Sequence, residues 1–264
     1  MSRRHPKALA AGIVLSVGLP FLPLVLWSLS ERWFFPGLWP QQWGLRAWQH
    51  VLDAAGGQVA SGLLQSTLLA AVTAAVSLVI GVPAGRALGL YAFGGKTLAA
   101  VLVTLPLIVP PLSVAMGLHL WFIRLGLAET FAGVVLVHLT VCLPYTVFVM
   151  WGVFANYDPD FEDQARCLGA SEWAVAWGVT LPLVWPGIVV AGLFSFLLSW
   201  SQYLSTLIIG GGRVLTLPIL LFALMGSGDR PVAAAVSLVF VAPAFLVLLV
   251  SARYLGRRGL TGVR

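Results

Sequence analysis

The chain has 264 residues, of which 59% are hydrophobic and only 9% charged, with a mean hydropathy of +0.96. A soluble domain carries about a quarter charged residues, so the composition excludes an ordinary water-soluble enzyme and places the chain in the membrane class. The net charge of +6 comes from short basic clusters at the ends of apolar runs, which is an orientation signal and not a nucleic-acid surface.

A helix needs about 20 mostly apolar residues to cross the hydrocarbon core. Six stretches meet that requirement: Ala8 to Leu29, Ser61 to Leu88, Thr97 to Ile123, Phe131 to Phe154, Pro186 to Ile209 and Val232 to Leu255. Lipid offers no partner for backbone N–H and C=O groups, so helices are expected throughout, in an all-α polytopic membrane protein. The first run is basic at its start and resembles a secretory signal, but it is long, holds Pro20 and Pro23, and lacks a small-residue cleavage site before Glu31. An uncleaved anchor is the expectation.

With the N-terminus in the cytoplasm, that side holds Arg3, Arg4, Lys7, Arg86, Lys96, Arg166, Arg253, Arg257, Arg258 and Arg264. The other side holds Arg32, Arg46, Arg124, Arg213 and Arg230, half as many. The imbalance predicts both termini inside. The outer segment Glu31 to Ala60 carries Trp33, Trp39, Trp43 and Trp48. Tryptophan favours the membrane interface, so this segment is expected along the outer surface, an aromatic ligand cage being the alternative.

No internal repeat is visible, which disfavours a carrier built from inverted repeats. The two cysteines, Cys142 and Cys167, fall in an apolar run and in a charged loop, giving neither a disulfide framework nor a zinc site. No cofactor or metal is expected. His119 and His138 lie within spans without a nearby carboxylate in sequence, and no catalytic constellation is present.

Between spans four and five, Ala155 to Trp185 holds five of the nine acids, namely Asp158, Asp160, Glu162, Asp163 and Glu172. Asp158 and Pro159 read as a cap and first helical position. The acids fall where the helix dipole favours negative charge. Phe161, Ala165 and Leu168 share a face at helical spacing, and Gly169 suits a left-handed stop. Ser171 is expected to cap a second short helix toward Gly178, ended by Leu181-Pro182, with Pro186 opening the next span. A solvated helix-turn-helix is the plain alternative to a docking element.

The spacing resembles the cytoplasmic coupling motif of type I ABC importer permeases, Glu-Ala-Ala, three residues, Gly, nine residues, Ile-x-Leu-Pro. Asp163, Gln164 and Ala165 occupy the first three positions, Gly169 follows after three residues, and Val179, Leu181 and Pro182 stand at the closing positions. Asp replaces Glu, Gln the first Ala and Val the Ile, and Glu162 stands beside the acid position. The resemblance covers about Gly62 to Tyr254, and the tail from Gly256 to Thr261 also matches the ends of such chains. The chain length and Gly210-Gly211-Gly212 leading to Leu217-Pro218 look most like the branch importing polyamines, thiamine or iron.

The resemblance implies an N-terminal anchor and outer segment at 1–60, a permease body at 61–255 and a cytoplasmic tail at 256–264, in a bacterial inner membrane. It implies a coupling helix seated on an ABC ATPase, with Phe161, Glu162, Asp163, Ala165, Leu168, Gly169, Leu181 and Pro182 at the contact. Glu162 and Asp163 are expected to meet basic groups or helix N-termini there. Further implied partners are a second permease, identical or homologous, and an extracytoplasmic solute-binding protein. ATP would be bound by the ATPase, since this chain lacks a G-x-x-x-x-G-K-[ST] loop.

Pro106, Pro110 and Pro111 break the third span and Pro144 the fourth, as hinges, cavity linings or packed kinks. The fifth span carries Ser195, Ser199, Trp200, Ser201, Gln202, Tyr203, Ser205 and Thr206. An amide facing lipid is costly, so Gln202 points to a polar pathway with Trp200 and Tyr203. His138 and Tyr145 are further pathway candidates. No Asp or Glu sits within a span, which disfavours a proton- or sodium-coupled carrier. An ion-coupled carrier and a membrane anchor without transport are the competing functions.

Overall fold

A computed structural model describes residues 12, 15, 16, 18–34, 36–52 and 56–259. The chain is all-α apart from one short hairpin. It divides into two compact units, the first made of residues up to 64 together with those from 216 onward, the second of residues 65–215.

In the first unit, α1 (Phe21–Ser28) leads into a hairpin of β1 (Ser30–Arg32) and β2 (Gln42–Trp43), paired antiparallel with Ser30 opposite Trp43. Helix α2 (Arg46–Leu52) buries Ala47 and Val51. The long α3 (Gly56–Leu90) begins here and continues into the second unit. Later in the chain, α11 (Leu217–Ser227) and α12 (Arg230–Gly259) complete the first unit. Helix α1 packs on α12, with the Phe21 and Phe245 rings edge to face at 5.3 Å. Arg46 on α2 forms a bidentate pair with Asp229 at the start of α12, at 2.8 and 3.0 Å.

The second unit holds the rest of α3, α4 (Lys96–Ile108), α5 (Pro111–Arg124), α6 (Phe131–Ala155), α7 (Asp160–Cys167), α8 (Glu172–Val175), a π-turn (Ala176–Thr180), α9 (Leu181–Trp200) and α10 (Leu204–Gly210). Its centre is α6, whose buried face meets α9 and α10. One apolar cluster joins Leu69, Ala115, Phe122, Val134, Val137 and Ile209; a second joins Met150, Phe154, Val184 and Ala191.

Helix α3 approaches α6 through Gly81, Gly85 and Gly89, spaced one turn apart. A β-carbon added at these three positions would lie 2.5 Å from Thr146 Cγ2, Met150 Cβ and Phe154 Cβ, respectively. Small residues let helix backbones approach closely where lipid supplies no hydrophobic drive for association. This contact fixes the C-terminal end of α3, and Arg86 with it, beside the C-terminal end of α6.

Among the described residues, three helices are long and apolar enough to cross a membrane: Gly57–Leu90, Phe131–Ala155 and the run Glu172–Trp200. Helices α4 and α5 form one further apolar pair, bent by 101°. The bend falls at Val109-Pro110, where two consecutive prolines remove backbone donors and force the preceding residues out of the helical region. Part of the expected first span lies outside the described residues, as do Arg3, Arg4, Lys7, Arg264 and the end of the tail.

Several boundaries differ from the sequence-based expectation. Leu181-Pro182 does not end a helix, because α8, the π-turn and α9 run on without a break. The π-turn lets the Leu181 N–H bond the Ala176 carbonyl five residues back, so the wider turn accommodates Pro182 where an α-turn would clash. The fifth span is not one helix to Ile209: α9 stops at Trp200 and α10 begins at Leu204. Helix α7 starts at Asp160 with Pro159 in the cap position, and Asp158 Oδ1 accepts the Asp160 N–H at 3.0 Å. The segment Glu31 to Ala60 contains the hairpin and α2, and α11, at 11 residues too short to read as a span, follows the triple glycine.

Candidate functional site

The acidic loop folds as a compact element. Helix α7 carries Asp160, Glu162 and Asp163 in its first turn, where the exposed N–H groups and the dipole favour negative charge. It ends at Gly169 in the left-handed region, φ +87°. The Ala170 N–H bonds the Ala165 carbonyl and the Gly169 N–H the Arg166 carbonyl, at 3.1 and 2.9 Å. This is the paired 6→1 and 5→2 closure that a glycine permits. An added β-carbon at Gly169 meets nothing, so glycine is there for its backbone conformation and not for space. Ser171 then accepts the Ala174 N–H and starts α8, as its position in the sequence indicates.

Glu162 is the node of this element. Its side chain is 3% exposed and accepts from Arg86 Nη2 at 2.7 Å, Thr180 Oγ1 at 2.7 Å, Arg166 Nη2 at 3.1 Å and Tyr157 Oη at 3.1 Å. Burial alone would raise its pKa, but the Thr180 hydroxyl and the Arg86 guanidinium outweigh it and hold the carboxyl below the ordinary carboxylate range. The four donors come from α3, the π-turn, α7 and the loop after α6. One carboxylate therefore ties α7 to three other segments. The expectation that Glu162 meets a partner's basic groups is corrected here, because its oxygens are turned inward and fully engaged. Sequence reasoning missed Arg86, which lies 76 residues from Glu162 and had been counted only for orientation.

Asp163, the residue at the motif's acid position, faces out, and its Oδ1 accepts from Arg166 at 2.8 Å. Arg166 also holds Glu172 at 2.8 Å, which keeps the Glu172 carboxyl below its ordinary range. Phe161 is 49% and Leu168 88% exposed, with Ala165 half-buried between them. Asp160, Asp163, Gln164, Cys167 and Leu168 line an open groove of about 480 Å³. Leu181 is half-buried and Pro182 exposed on the continuing helix.

Four of the five pathway candidates lie at or beside the break between α9 and α10, where His138 bonds Ser199 and Thr206. Trp200, 3% exposed, stacks against Phe196 at 5.9 Å. Gln202 and Tyr203 are half-buried in the break between α9 and α10. Tyr145 is 40% exposed on α6. His138 is fully buried, with Nδ1 2.8 Å from Ser199 Oγ and Nε2 2.9 Å from Thr206 Oγ1. Both of its ring nitrogens are taken up inside the bundle. Among the described residues, no group of three His, Cys, Asp or Glu side chains is placed to hold a metal ion.

A family model described as binding-protein-dependent transport system inner membrane component matches residues 77–259, well over half of the chain. The chain belongs to this family of ABC importer permease subunits. It is therefore a transport subunit of the bacterial inner membrane and a multi-pass protein. The molybdenum transport system permease ModB of Mycobacterium tuberculosis is 34% identical over 228 residues, 80% of this chain and 82% of the relative. The PhnV permease of Salmonella typhimurium, whose name refers to 2-aminoethylphosphonate transport, is 30% identical over 258 residues, 95% of this chain and 96% of its own. The fold is similar to a chain of a bacterial ABC transporter that imports the acidic polysaccharide alginate, with a TM-score of 0.72 at 20% identity, covering 96% of this chain and 98% of that one.

Proposed function

We propose that this permease subunit crosses the membrane six times with both termini in the cytoplasm, and that the α7–α8 element is the coupling helix on which an ABC ATPase seats. The bent pair α4–α5 serves as one crossing, α9 as another, and the N-terminal run and α12 as the first and last. A second permease completes the transmembrane pathway, and an extracytoplasmic binding protein delivers the solute.

One observation carries the reading. The α7–α8 element presents Phe161, Asp163, Gln164, Cys167 and Leu168 outward while its own anchor, Glu162, is buried and saturated. A merely solvated linker has no need of a buried carboxylate with two arginine partners, since burying ions costs several kcal/mol unless fully paired. An element that transmits force needs both a free outer face and a rigid inner mount. Coupling contact is assigned to Phe161, Asp163, Ala165 and Leu168, with Glu162 as the mount, Gly169 as the turn, and Leu181 and Pro182 carrying motion into α9.

For the solute we favour a small compound bearing an oxyanion group, as 2-aminoethylphosphonate does. No carboxylate lies within the spans to accompany a polycation, and the two relatives above, at 34% and 30% identity, are named for molybdenum and 2-aminoethylphosphonate. The pathway is assigned to the break holding Gln202 and Tyr203, beside Trp200.

Cys167 is exposed and Cys142 buried, so the native chain has one thiol on the proposed contact face. In inverted membrane vesicles holding the complete importer, a maleimide carrying a photoreactive group is expected to join Cys167 to the ATPase and to fail in Cys167→Ser. Absence of that adduct, or labelling of Cys167 from the outer side only, overturns the reading.

A further inference from the structure

The α9–α10 break is bridged from outside its own segment. Ser199 lies in the last turn of α9 and Thr206 in the first turn of α10, and His138 of α6 is bonded to both. All three are buried to 2% exposure or less. Between the two anchor points lie Trp200, Gln202 and Tyr203, the residues assigned to the pathway.

The proton positions follow from the partners. The Thr206 hydroxyl donates to the Gln202 carbonyl at 3.0 Å. Its single proton is thereby used, so toward His138 the oxygen accepts, and Nε2 must carry the imidazole proton. A neutral ring then leaves Nδ1 as an acceptor, filled by the Ser199 hydroxyl at 2.8 Å. The result is a one-way relay from Ser199 O–H to Nδ1, from Nε2–H to Thr206, and from Thr206 O–H to the carbonyl of Gln202. A third hydroxyl, that of Ser205, donates to the Gln202 side-chain oxygen at 3.2 Å.

We propose that His138 is a positioning residue that fixes the span and direction of the break, and through Thr206 the backbone of Gln202, without touching solute. This rests on the reading of the break as part of the pathway. A buried ring whose two nitrogens are each bonded has nothing left to offer a solute, yet it sets the separation of two helix ends to the width of an imidazole. Asn and Gln test the arms separately. An Asn amide reaches about as far as Nδ1 and keeps the Ser199 side, whereas a Gln amide reaches about as far as Nε2 and keeps the Thr206 side.

The test uses the full importer, assembled with its partners in liposomes. With ¹⁵N-labelled histidine, the signal lost in His138→Gln is expected to show a protonated Nε2 and a bare Nδ1; the opposite tautomer or a doubly protonated ring overturns the relay. In a Cys142→Ser, Cys167→Ser background carrying Gln202→Cys, the rate of modification by a membrane-impermeant maleimide is then measured. Loss of two hydrogen bonds predicts an increase of about tenfold or more in His138→Leu. Thr206→Val is expected to match it, and His138→Gln to stay nearer the parent than His138→Asn does. Should His138→Leu not assemble, Thr206→Val and Ser199→Ala carry the comparison. Equal rates throughout overturn the clamp. If Gln202→Cys reacts in no background, the break is sealed from water and the pathway assignment falls with the clamp. The Cys167 cross-link does not pass through His138, so its failure alone would leave the clamp standing.

Discussion

Glu162 and Asp163 are adjacent acids with opposite fates. One residue on a helix is a rotation of about 100°, enough to send the first carboxylate inward to Arg86 and the second outward to Arg166. Spacing identifies the position of the motif but does not reveal which neighbour is buried, because that depends on Arg86 and Thr180 arriving from distant segments. A depressed carboxyl pKa contributes stability that is fully present above its unfolded value and lost as pH falls through the folded one. Thermal unfolding of the assembled importer is therefore expected to lose stability as pH drops from the ordinary carboxylate range through the depressed value of Glu162. Glu162→Gln should remove that component of the pH dependence while lowering stability at neutral pH. An unchanged pH profile in the variant would show that the carboxylate is not ionised in the fold. Removing Arg86 takes the shorter of two guanidinium bonds from a buried carboxylate that keeps Arg166, so Arg86→Ala is expected to cost less than the penalty of about 3 kcal/mol usual for stranding a buried charge.

Helix α3 shows what was legible and overlooked. The spacing Gly81-x-x-x-Gly85-x-x-x-Gly89 stands in the sequence, yet glycines inside a long apolar run read only as span. Their meaning depends on Thr146, Met150 and Phe154 standing opposite at the same one-turn interval on α6. At Gly85 an added β-carbon meets Met150 and Trp151 backbone at 2.8 Å, which cannot rotate aside. Gly85→Leu is expected to cost about 1–3 kcal/mol through overpacking and to release the insert, since Arg86 would move with it. Gly117→Leu on α5, where an added β-carbon meets nothing, serves as the control. Equal melting temperatures for the two variants, read in the assembled complex, would remove the glycine contact from the account. The existence and helical nature of the second and fourth spans were clear from hydropathy. The run through Pro182 and the stop at Trp200 were not, because a π-turn and a side-chain clamp are tertiary solutions that no local propensity encodes.

The first unit is built from both ends of the chain, and its polar fastening is Arg46 with Asp229, 183 residues apart. The Asp229 carboxyl is also drawn on by the Val232 N–H. Burial would raise its pKa, but the Arg46 bond and this N–H together hold it below the ordinary value. The pair is half-exposed on the arginine side, so screening limits it, and Arg46→Ala is expected to cost under about 1 kcal/mol with a penalty that shrinks as salt rises. A salt-independent loss of several kcal/mol would show that Arg46 does more than pair with Asp229.

The edge-to-face contact of Phe21 with Phe245 sets an order on biogenesis. During synthesis the amino-terminal helix enters the bilayer long before its packing partner leaves the ribosome, while residues 65–215 hold their own contacts and can close first. Helix α1 therefore waits in lipid without its mate until α12 has been made.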